Sequence, residues 1–203
     1  MWAVTARGSA HVCLRKVDPA AIFELVEHEA VTTLCAAPTV LIGIANAPEE
    51  ARRRAAGRVV RLLTAGAPPA AATIELIERG LSWNVTHIYG LTETAPFILI
   101  CEELPEHRKL PLAERATVKA RQGVELVSSG EIRVSDSSGQ EVPHDGQTLG
   151  EICVRGNVVM KGYFHDPSTP WRALTVARSA SGSFRCSGSS SQMRMKGEVS
   201  VKP

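Results

Sequence analysis

A short β-prone run that ends at a glycine is the sequence feature that most constrains the fold of this chain. Residues 85–89 alternate in polarity and favour a buried strand, and Gly90 permits a sharp turn where that strand should end. A second β-prone run, residues 59–64, leads into the small-residue stretch 65–69, and a helical pattern separates the two runs. Strand, turn, helix and strand in this order are typical of a parallel α/β sheet.

The residues around Gly90 carry side chains that suit a nucleotide. In an open α/β sheet, ligands bind outside the carboxyl ends of the strands, where Tyr89, Thr92 and Glu93 would lie. An aromatic ring can stack on a base, a threonine hydroxyl can donate to a phosphate oxygen, and a carboxylate is a hard oxygen ligand for Mg²⁺. The same residues also fit a structural role, with Thr92 as the N-cap of a helix and Glu93 in its first turn. Local chemistry alone leaves both interpretations open.

Length, composition and charge exclude several other classes of protein. A chain of 203 residues with 44% hydrophobic and 22% charged residues can bury one large core or two small ones. The formal charge of +2 is spread along the chain, and the arginines at 52–54 suit a solvated helix face, so we expect no nucleic-acid partner. We expect no transmembrane segment, because no run of about 18 apolar residues occurs.

The cysteine pattern indicates a reducing compartment. The five cysteines are odd in number and lie far apart, without zinc-finger spacing. We interpret them as reduced thiols of a cytoplasmic protein, which leaves a peroxisomal location and a peripheral membrane contact open.

Composition changes along the chain predict three parts. Residues 1–122 should form a partial parallel sheet flanked by helices, which places the chain in the α/β class. Residues 123–169 contain short β-prone runs separated by Ser-Gly and Asp-Gly turns, and they predict a small antiparallel β subdomain with a boundary near Gly123. Residues 170–203 are rich in serine and poor in aromatic residues, which predicts a disordered tail.

Three stretches, taken together, resemble the adenylate-forming acyl-CoA synthetase and luciferase superfamily. They are residues 64–68 (TAGAP), 89–93 (YGLTE) and 150–163 (GEICVRGNVVMKGY), in the family's order and spacing. Further similarity at residues 18–19, 37–41, 120–123 and 145–147 resembles the fatty-acyl-CoA synthetase branch. The resemblance covers roughly residues 2–169.

The resemblance implies a two-step ligase reaction with ATP, Mg²⁺ and coenzyme A. A carboxylic acid, here expected to be a fatty acid, attacks the α-phosphate of Mg-ATP to give an acyl-adenylate, and the thiol of coenzyme A then displaces AMP. Thr92 matches the hydroxyl at the α-phosphate and Glu93 matches the magnesium ligand, so these two are the expected catalytic residues. The matching nucleotide-binding positions are Gly66, Ala67, Pro68, His87, Ile88, Tyr89, Gly90, Leu91 and Thr92.

Within this resemblance the matched positions have different roles. The turn at 66–68 would lie against adenine and the acyl group, Tyr89 would lie beside adenine, and His87 and Ile88 would line the site. Without the family, the turn at 66–68 could simply initiate a helix. His87 could be a packed, hydrogen-bonded residue, and the resemblance gives it a lining role rather than proton transfer.

Parts of the family pattern do not occur in this sequence. It contains no lysine-containing Ser/Thr/Gly-rich loop for the β- and γ-phosphates, no aspartate motif for the ribose after Tyr163, and no C-terminal domain with a catalytic lysine. We therefore expect a central fragment of a fatty-acid–CoA ligase that does not turn over alone. The alternatives are a non-catalytic module that binds AMP or acyl chains, a module that pairs with a full-length synthetase, and a ligase for aryl acids.

Overall fold

The computed structural model describes residues 2–136, 138–145 and 148–165, and the predicted tail at 170–203 lies outside these ranges. The helices of the described residues are α1 (Trp2–Ala6), α2 (Pro19–His28), α3 (Pro38–Ala45), α4 (Glu49–Arg53), α5 (Ala71–Gly80) and α6 (Leu112–Lys119). Their strands are β1 (Thr33–Ala36), β2 (Val60–Thr64), β3 (Trp83–Gly90), β4 (Phe97–Cys101), β5 (Val124–Glu125), β6 (Glu131–Ser135) and β7 (Glu151–Arg155). Single 3₁₀ turns occur at Thr92–Thr94 and His107–Lys109.

Helix α2 begins where local sequence signals predict a helix. The Asp18 side chain accepts a hydrogen bond from the Ala20 N–H at 3.0 Å, and Pro19 occupies the first helical position, where no N–H is needed. The helix buries Ile22, Phe23 and Val26 on one face. Each such side chain contributes about 1.5–3 kcal/mol when fully buried, so this face fixes α2 against the sheet.

Five strands form a mixed sheet in the order β1-β2-β3-β4-β5. Strands β1, β2 and β3 are parallel, and Ala36, Thr64 and His87 lie side by side in the register. Strands β4 and β5 are antiparallel to their neighbours, and β1 lies at one edge of the sheet. The α/β class is therefore confirmed, with a parallel half that carries the two predicted strand ends.

The main core lies between the parallel strands and the helices. Its fully buried side chains include Phe23, Leu41, Ile44, Leu62, Ile74 and Val85. The Phe23 and Trp83 rings lie 5.6 Å apart at an angle of 39°, within the range in which aromatic pairs attract. This core holds β2 and β3 rigidly, so the loops at their carboxyl ends have a fixed support.

A second apolar cluster joins the sheet to a small antiparallel pair of strands. Strands β6 and β7 pair from Glu131↔Arg155 to Ser135↔Glu151. Ile132, Val134 and Val154 from this pair pack with Ile98 and Leu99 of β4. The predicted small antiparallel unit is therefore present and packs against the outer half of the larger sheet.

Strand β5 differs from its predicted place in that unit. Residues 124–127 were expected to belong to the small β subdomain, but Val124–Glu125 pairs with β4 in the larger sheet. The chain passes so close to β4 at Gly123, which has a φ of +89°, that a Cβ there would lie 2.0 Å from the Ile100 carbonyl oxygen. Only glycine permits this approach. The predicted division of the chain into two subdomains near residue 122 stays a prediction.

A buried ionic network lies near the amino-terminal end of β3. The Lys119 side chain is 1% exposed, and its Nζ lies 2.6 Å from Glu78 Oε1 and 3.8 Å from Glu103 Oε1. Arg115 contacts the same two carboxylates at 3.4 and 3.3 Å. Arg108 also contacts Glu103, at 3.7 Å, so three cations face two anions and the buried charges are compensated within the network.

The network also holds the backbone of β3. Glu78 Oε1 accepts from the Val85 N–H at 3.1 Å, and Glu103 Oε2 accepts from the Asn84 side chain at 3.2 Å. The network therefore connects α5, α6 and β3, although its members lie far apart in the sequence.

Among the described residues, none of the helices has the length and apolar character that a membrane span requires. Cys13, Cys35 and Cys101 are free thiols, and Cys101 is buried in β4. Cys153 is disulfide-bonded, so the prediction of a reduced thiol is wrong for that residue. Burial raises the pKa of the Cys101 thiol, which keeps it protonated and unreactive.

Candidate functional site

The carboxyl ends of β2 and β3 lie next to each other and carry the predicted site residues. Thr64 ends β2 and pairs in register with His87, and β3 continues for three more residues to Gly90. Neighbouring strands lie about 4.8 Å apart, so the turn after Thr64 begins beside the last residues of β3. The two predicted strand ends therefore converge on one edge of the sheet.

The turn at residues 66–68 is open to solvent. Gly66, Ala67 and Pro68 are exposed, and Gly66 has a φ of +94° with free space where a Cβ would lie. Helix α5 begins later, at Ala71, with Ala70 at its N-cap. The turn is thus separate from the helix start, and its backbone is accessible to a ligand.

His87 is a packed residue at the end of the parallel register. It is 1% exposed, and its Nδ1 lies 2.8 Å from the Arg121 carbonyl oxygen. Because a carbonyl can only accept, Nδ1 carries the proton of the neutral ring. Burial lowers the pKa of His87 below its ordinary value, although hydrogen bonds to the backbone of Arg121 and Ala120 act to raise it. This geometry matches the packed, hydrogen-bonded alternative.

The lowered pKa of His87 predicts a loss of stability in acid. The unfolded chain takes up this proton near pH 6.5, whereas the folded chain takes it up only at lower pH, so the folded state binds fewer protons in between. The His87 contribution is therefore complete above about pH 6.5 and is lost as the pH falls. We expect the free energy of unfolding, from urea titrations, to fall less between neutral and acidic pH in His87→Asn than in the wild type.

His28→Gln is the control for this measurement, because the His28 side chain is 62% exposed. An identical acid dependence in His87→Asn and the wild type would contradict the role assigned to the buried imidazole.

Tyr89 and Ile88 occupy the last two pairs of β3 before a β-bulge. Tyr89 pairs with Leu99, and Gly90 then pairs with Phe97, so Ile98 is an extra residue on β4. Ile88 is buried, whereas Tyr89 is half-buried and packs against the second apolar cluster. Burial raises the pKa of the Tyr89 hydroxyl. Bulges often redirect side chains beside binding sites, which agrees with the position of Tyr89.

Gly90 is required by the close approach of the next strand. A Cβ at this position would lie 1.8 Å from the Pro96 carbonyl oxygen and 2.6 Å from the Phe97 Cα. Both contacts are with backbone, so no side-chain movement can relieve them. Because Gly90 has no side chain, the backbone of Pro96 and Phe97 can approach it closely. This approach closes the loop that contains Leu91, Thr92 and Glu93.

Thr94, rather than Thr92, fixes the conformation of this loop. The Thr94 hydroxyl oxygen accepts from the Leu91 N–H at 3.1 Å and lies 3.0 Å from the Leu91 and Pro96 carbonyl oxygens. Leu91 is therefore the N-cap of the 3₁₀ turn, and the predicted N-cap role of Thr92 is not observed. Thr92 is exposed, so its hydroxyl is available to a ligand.

Glu93 is half-buried and joins this loop to a distant segment of the chain. Its Oε1 accepts from the Tyr163 hydroxyl at 2.5 Å, and its carbonyl accepts from the Met160 N–H at 2.9 Å. The hydrogen bond to Glu93 raises the pKa of Tyr163. The sequence predicts a metal role for Glu93 and a structural role in the 150–163 turn for Tyr163, but it does not predict their contact, because the two residues lie 70 positions apart.

The donor set at Glu93 fits a metal ion that is carried by a nucleotide. No group of three or more His, Cys, Asp or Glu side chains among the residues with described positions could hold an ion by itself. Mg²⁺ commonly takes one or two protein carboxylates and fills its other positions with phosphate oxygens and water. A single half-buried carboxylate beside an exposed hydroxyl suits that arrangement.

A cavity of about 560 Å³ lies at the opposite end of the sheet. It is lined by residues that precede β2 and β3, among them Arg52, Gly57, Arg79 and Ser82. The predicted site residues are instead grouped at the carboxyl ends of the strands, where Gly66, Ala67, Pro68 and Thr92 are exposed.

Comparison with known sequences identifies the family to which this chain is similar. Residues 1–164 match the family described as AMP-binding enzyme. The chain is 45% identical over 166 residues to 4-hydroxybutyrate–CoA ligase 2 of Metallosphaera sedula, with 82% of this chain covered. It is 40% identical over 176 residues to 2-methylpropanoate–CoA ligase CCL4 of Humulus lupulus, with 86% covered. The chain spans 30% and 31% of the lengths of these two relatives.

Comparison with solved structures supports the fold. The ATP-bound structure of MatB from Rhodopseudomonas palustris aligns with a TM-score of 0.62 at 25% sequence identity. The alignment covers 79% of this chain and 29% of that protein.

Proposed function

The chain belongs to the AMP-binding enzyme family, and from that premise we propose that it is part of an acid–thiol ligase. The proposed enzyme activates a carboxylic acid with ATP and transfers the acyl group to coenzyme A. The observation that carries the proposal is the exposed turn at 66–68 beside the strand end that leads to Thr92 and Glu93.

The proposed reaction has two steps. A carboxylate oxygen attacks the α-phosphorus of ATP, and the bond between that phosphorus and the bridging oxygen of the leaving group breaks to release pyrophosphate. The thiol of coenzyme A, having lost its proton, then attacks the acyl carbonyl, and the bond from the carbonyl carbon to the AMP oxygen breaks. Both steps depend on positioning and on compensation of phosphate charge, so no protein nucleophile is needed.

In this proposal the site residues contact different parts of the nucleotide. The backbone of Gly66, Ala67 and Pro68 and the Tyr89 ring contact adenine, while His87 and Ile88 line the floor of the site. The Thr92 hydroxyl donates to the α-phosphate. Glu93 would hold Mg²⁺, which when bound supplies charge neutralisation at the phosphates.

The acids in the names of the two CoA ligases reported above are aliphatic, which favours an aliphatic acid as the substrate. A fatty acid, which the motifs suggest, is the finer form of this proposal. A ligase for an aryl acid stays the alternative, because another relative, 39% identical, is named as a trans-cinnamate–CoA ligase. The cytoplasmic location expected from the sequence and pairing with a full-length synthetase stay predictions.

We expect the isolated chain to bind AMP without catalysing turnover. Isothermal titration calorimetry with millimolar AMP should give a saturable heat in the wild type. Ala67→Trp should abolish it, because an indole at this exposed turn would fill the space assigned to adenine. Ala56→Trp, at an exposed position near the other end of the sheet, is the matched control.

Absence of AMP binding in the wild type would refute the proposed nucleotide site in this chain.

The second half of the expectation concerns catalysis. Incubation with ATP, a fatty acid and coenzyme A should release no more AMP than one equivalent of protein, and sustained release would show that the chain is active alone.

A further inference from the structure

Two hydrogen bonds attach the segment at residues 160–163 to the turn at Thr92–Thr94. The Met160 N–H donates to the Glu93 carbonyl at 2.9 Å, which fixes the segment against the backbone of the turn. The Tyr163 hydroxyl donates to Glu93 Oε1 at 2.5 Å, which fixes the side chain of the same residue. Glu93 is thus held at both its main chain and its carboxylate by one segment.

This arrangement restricts the glutamate without consuming its capacity to bind a ligand. A phenol has one hydrogen to donate, and an ionised carboxylate has about four lone-pair positions on its two oxygens. The Tyr163 bond engages Oε1 and leaves Oε2 for another partner. A glutamate side chain loses rotamer freedom when it is fixed, and Tyr163 removes much of that freedom before a ligand binds.

Tyr163 itself is accessible at this position. Its side chain remains 46% exposed, and the neighbouring Phe164 is 91% exposed. The ring is therefore not an element of the core, and its defined contact is the hydroxyl on Glu93. A purely structural role for Tyr163 would not require that the hydroxyl meet the residue assigned to the metal.

We infer that Tyr163 is a positioning residue for Glu93, and that its hydroxyl orients the carboxylate toward a nucleotide-bound divalent cation. This inference rests on the proposed function, because it assigns Tyr163 a role in the same site. Hydrogen-bonding partners of metal ligands commonly change metal affinity by 10-fold or more, so we expect Tyr163→Phe to weaken Mg-ATP binding roughly 10-fold. AMP binding without metal should not change.

The contact can be measured without activity. The chain contains only two tyrosines, so ¹³C labelling of tyrosine rings gives two sets of NMR signals, which the Tyr89→Phe spectrum assigns. Glu93→Gln should shift the Tyr163 ring signals and leave those of Tyr89 in place. An unchanged Tyr163 spectrum would show that the hydrogen bond is absent in solution and would overturn the inference.

Calorimetry then separates the positioning role from the function on which it rests. The titrations compare Mg-ATP with AMP in EDTA for the wild type, Tyr163→Phe and the control Phe164→Leu. Weaker Mg-ATP binding in Tyr163→Phe alone, with no further loss when Glu93→Gln is added, supports the inference. Equal Mg-ATP affinity in the wild type and Tyr163→Phe overturns the inference and leaves the proposed function intact. A wild type that binds neither nucleotide overturns both, whatever the NMR result.

Discussion

Replacement of Lys119 by methionine is expected to lower the free energy of unfolding by about 3–5 kcal/mol, because it leaves the buried Glu78 carboxylate without its closest cation. Lys119 is 1% exposed and lies 2.6 Å from Glu78, whose side chain is 5% exposed. Water cannot reach these groups to replace the missing charge. Urea denaturation at neutral pH measures the loss, which is a large part of the stability of a domain of this size.

Two further variants keep this prediction testable if Lys119→Met does not fold. Lys119→Arg retains the charge and should be milder, and Glu78→Gln combined with Lys119→Met removes one charge of each sign and should recover part of the loss. Arg53→Met breaks an exposed pair with Glu49, where both side chains are about 70% exposed, and should change stability by about 0.5 kcal/mol or less. Equal effects at Lys119 and Arg53 would show that the network is not buried in solution.

Replacement of Gly90 by alanine is the second change with a large expected effect. The added Cβ would lie 1.8 Å from the Pro96 carbonyl oxygen, so the backbone of β3 or β4 must move. Overpacking of this kind costs about 1–3 kcal/mol and more where backbone must shift, and we expect a loss at or above the upper end. Urea denaturation should show this loss, and AMP binding should weaken as well, because Thr92 and Glu93 follow directly.

Gly80→Ala is the matched control for Gly90→Ala. Gly80 is the last residue of α5, and a Cβ there would meet only the end of the Arg52 side chain, at 3.0 Å. The helical position favours alanine over glycine by about 1 kcal/mol, so stability should hold or rise. A similar loss in both variants would contradict the role assigned to the contact between Gly90 and Pro96.

The parts of the fold that sequence predicted are those governed by local chemistry. Asp18 and Pro19 start a helix because their own side chains satisfy or remove N–H groups within one turn. The strands that end near Thr64 and Gly90 follow from apolar runs stopped by small residues. These signals act within a few residues, and the family resemblance and the α/β class that they supported are confirmed.

The features that sequence missed depend on contacts between distant residues. Strand β4 is a continuous apolar run, but the run itself does not indicate that it pairs antiparallel with β3, because that pairing depends on contacts outside it. Lys119 and Glu78 are 41 residues apart, and Tyr163 and Glu93 are 70 apart. The roles of the candidate site residues stay predictions, since they concern a ligand rather than the fold.

The short loop between β3 and β4 carries a thermodynamic consequence for any ligand that it meets. The pairing of Gly90 with Phe97 joins the two ends of the loop, and the Thr94 hydroxyl forms hydrogen bonds with the backbone of Leu91 and Pro96 within it. A loop this short costs little entropy to close, and that cost is met when the hairpin folds. Thr92 and Glu93 are consequently preorganised, so a ligand that binds there gives up little of its interaction energy to order the loop.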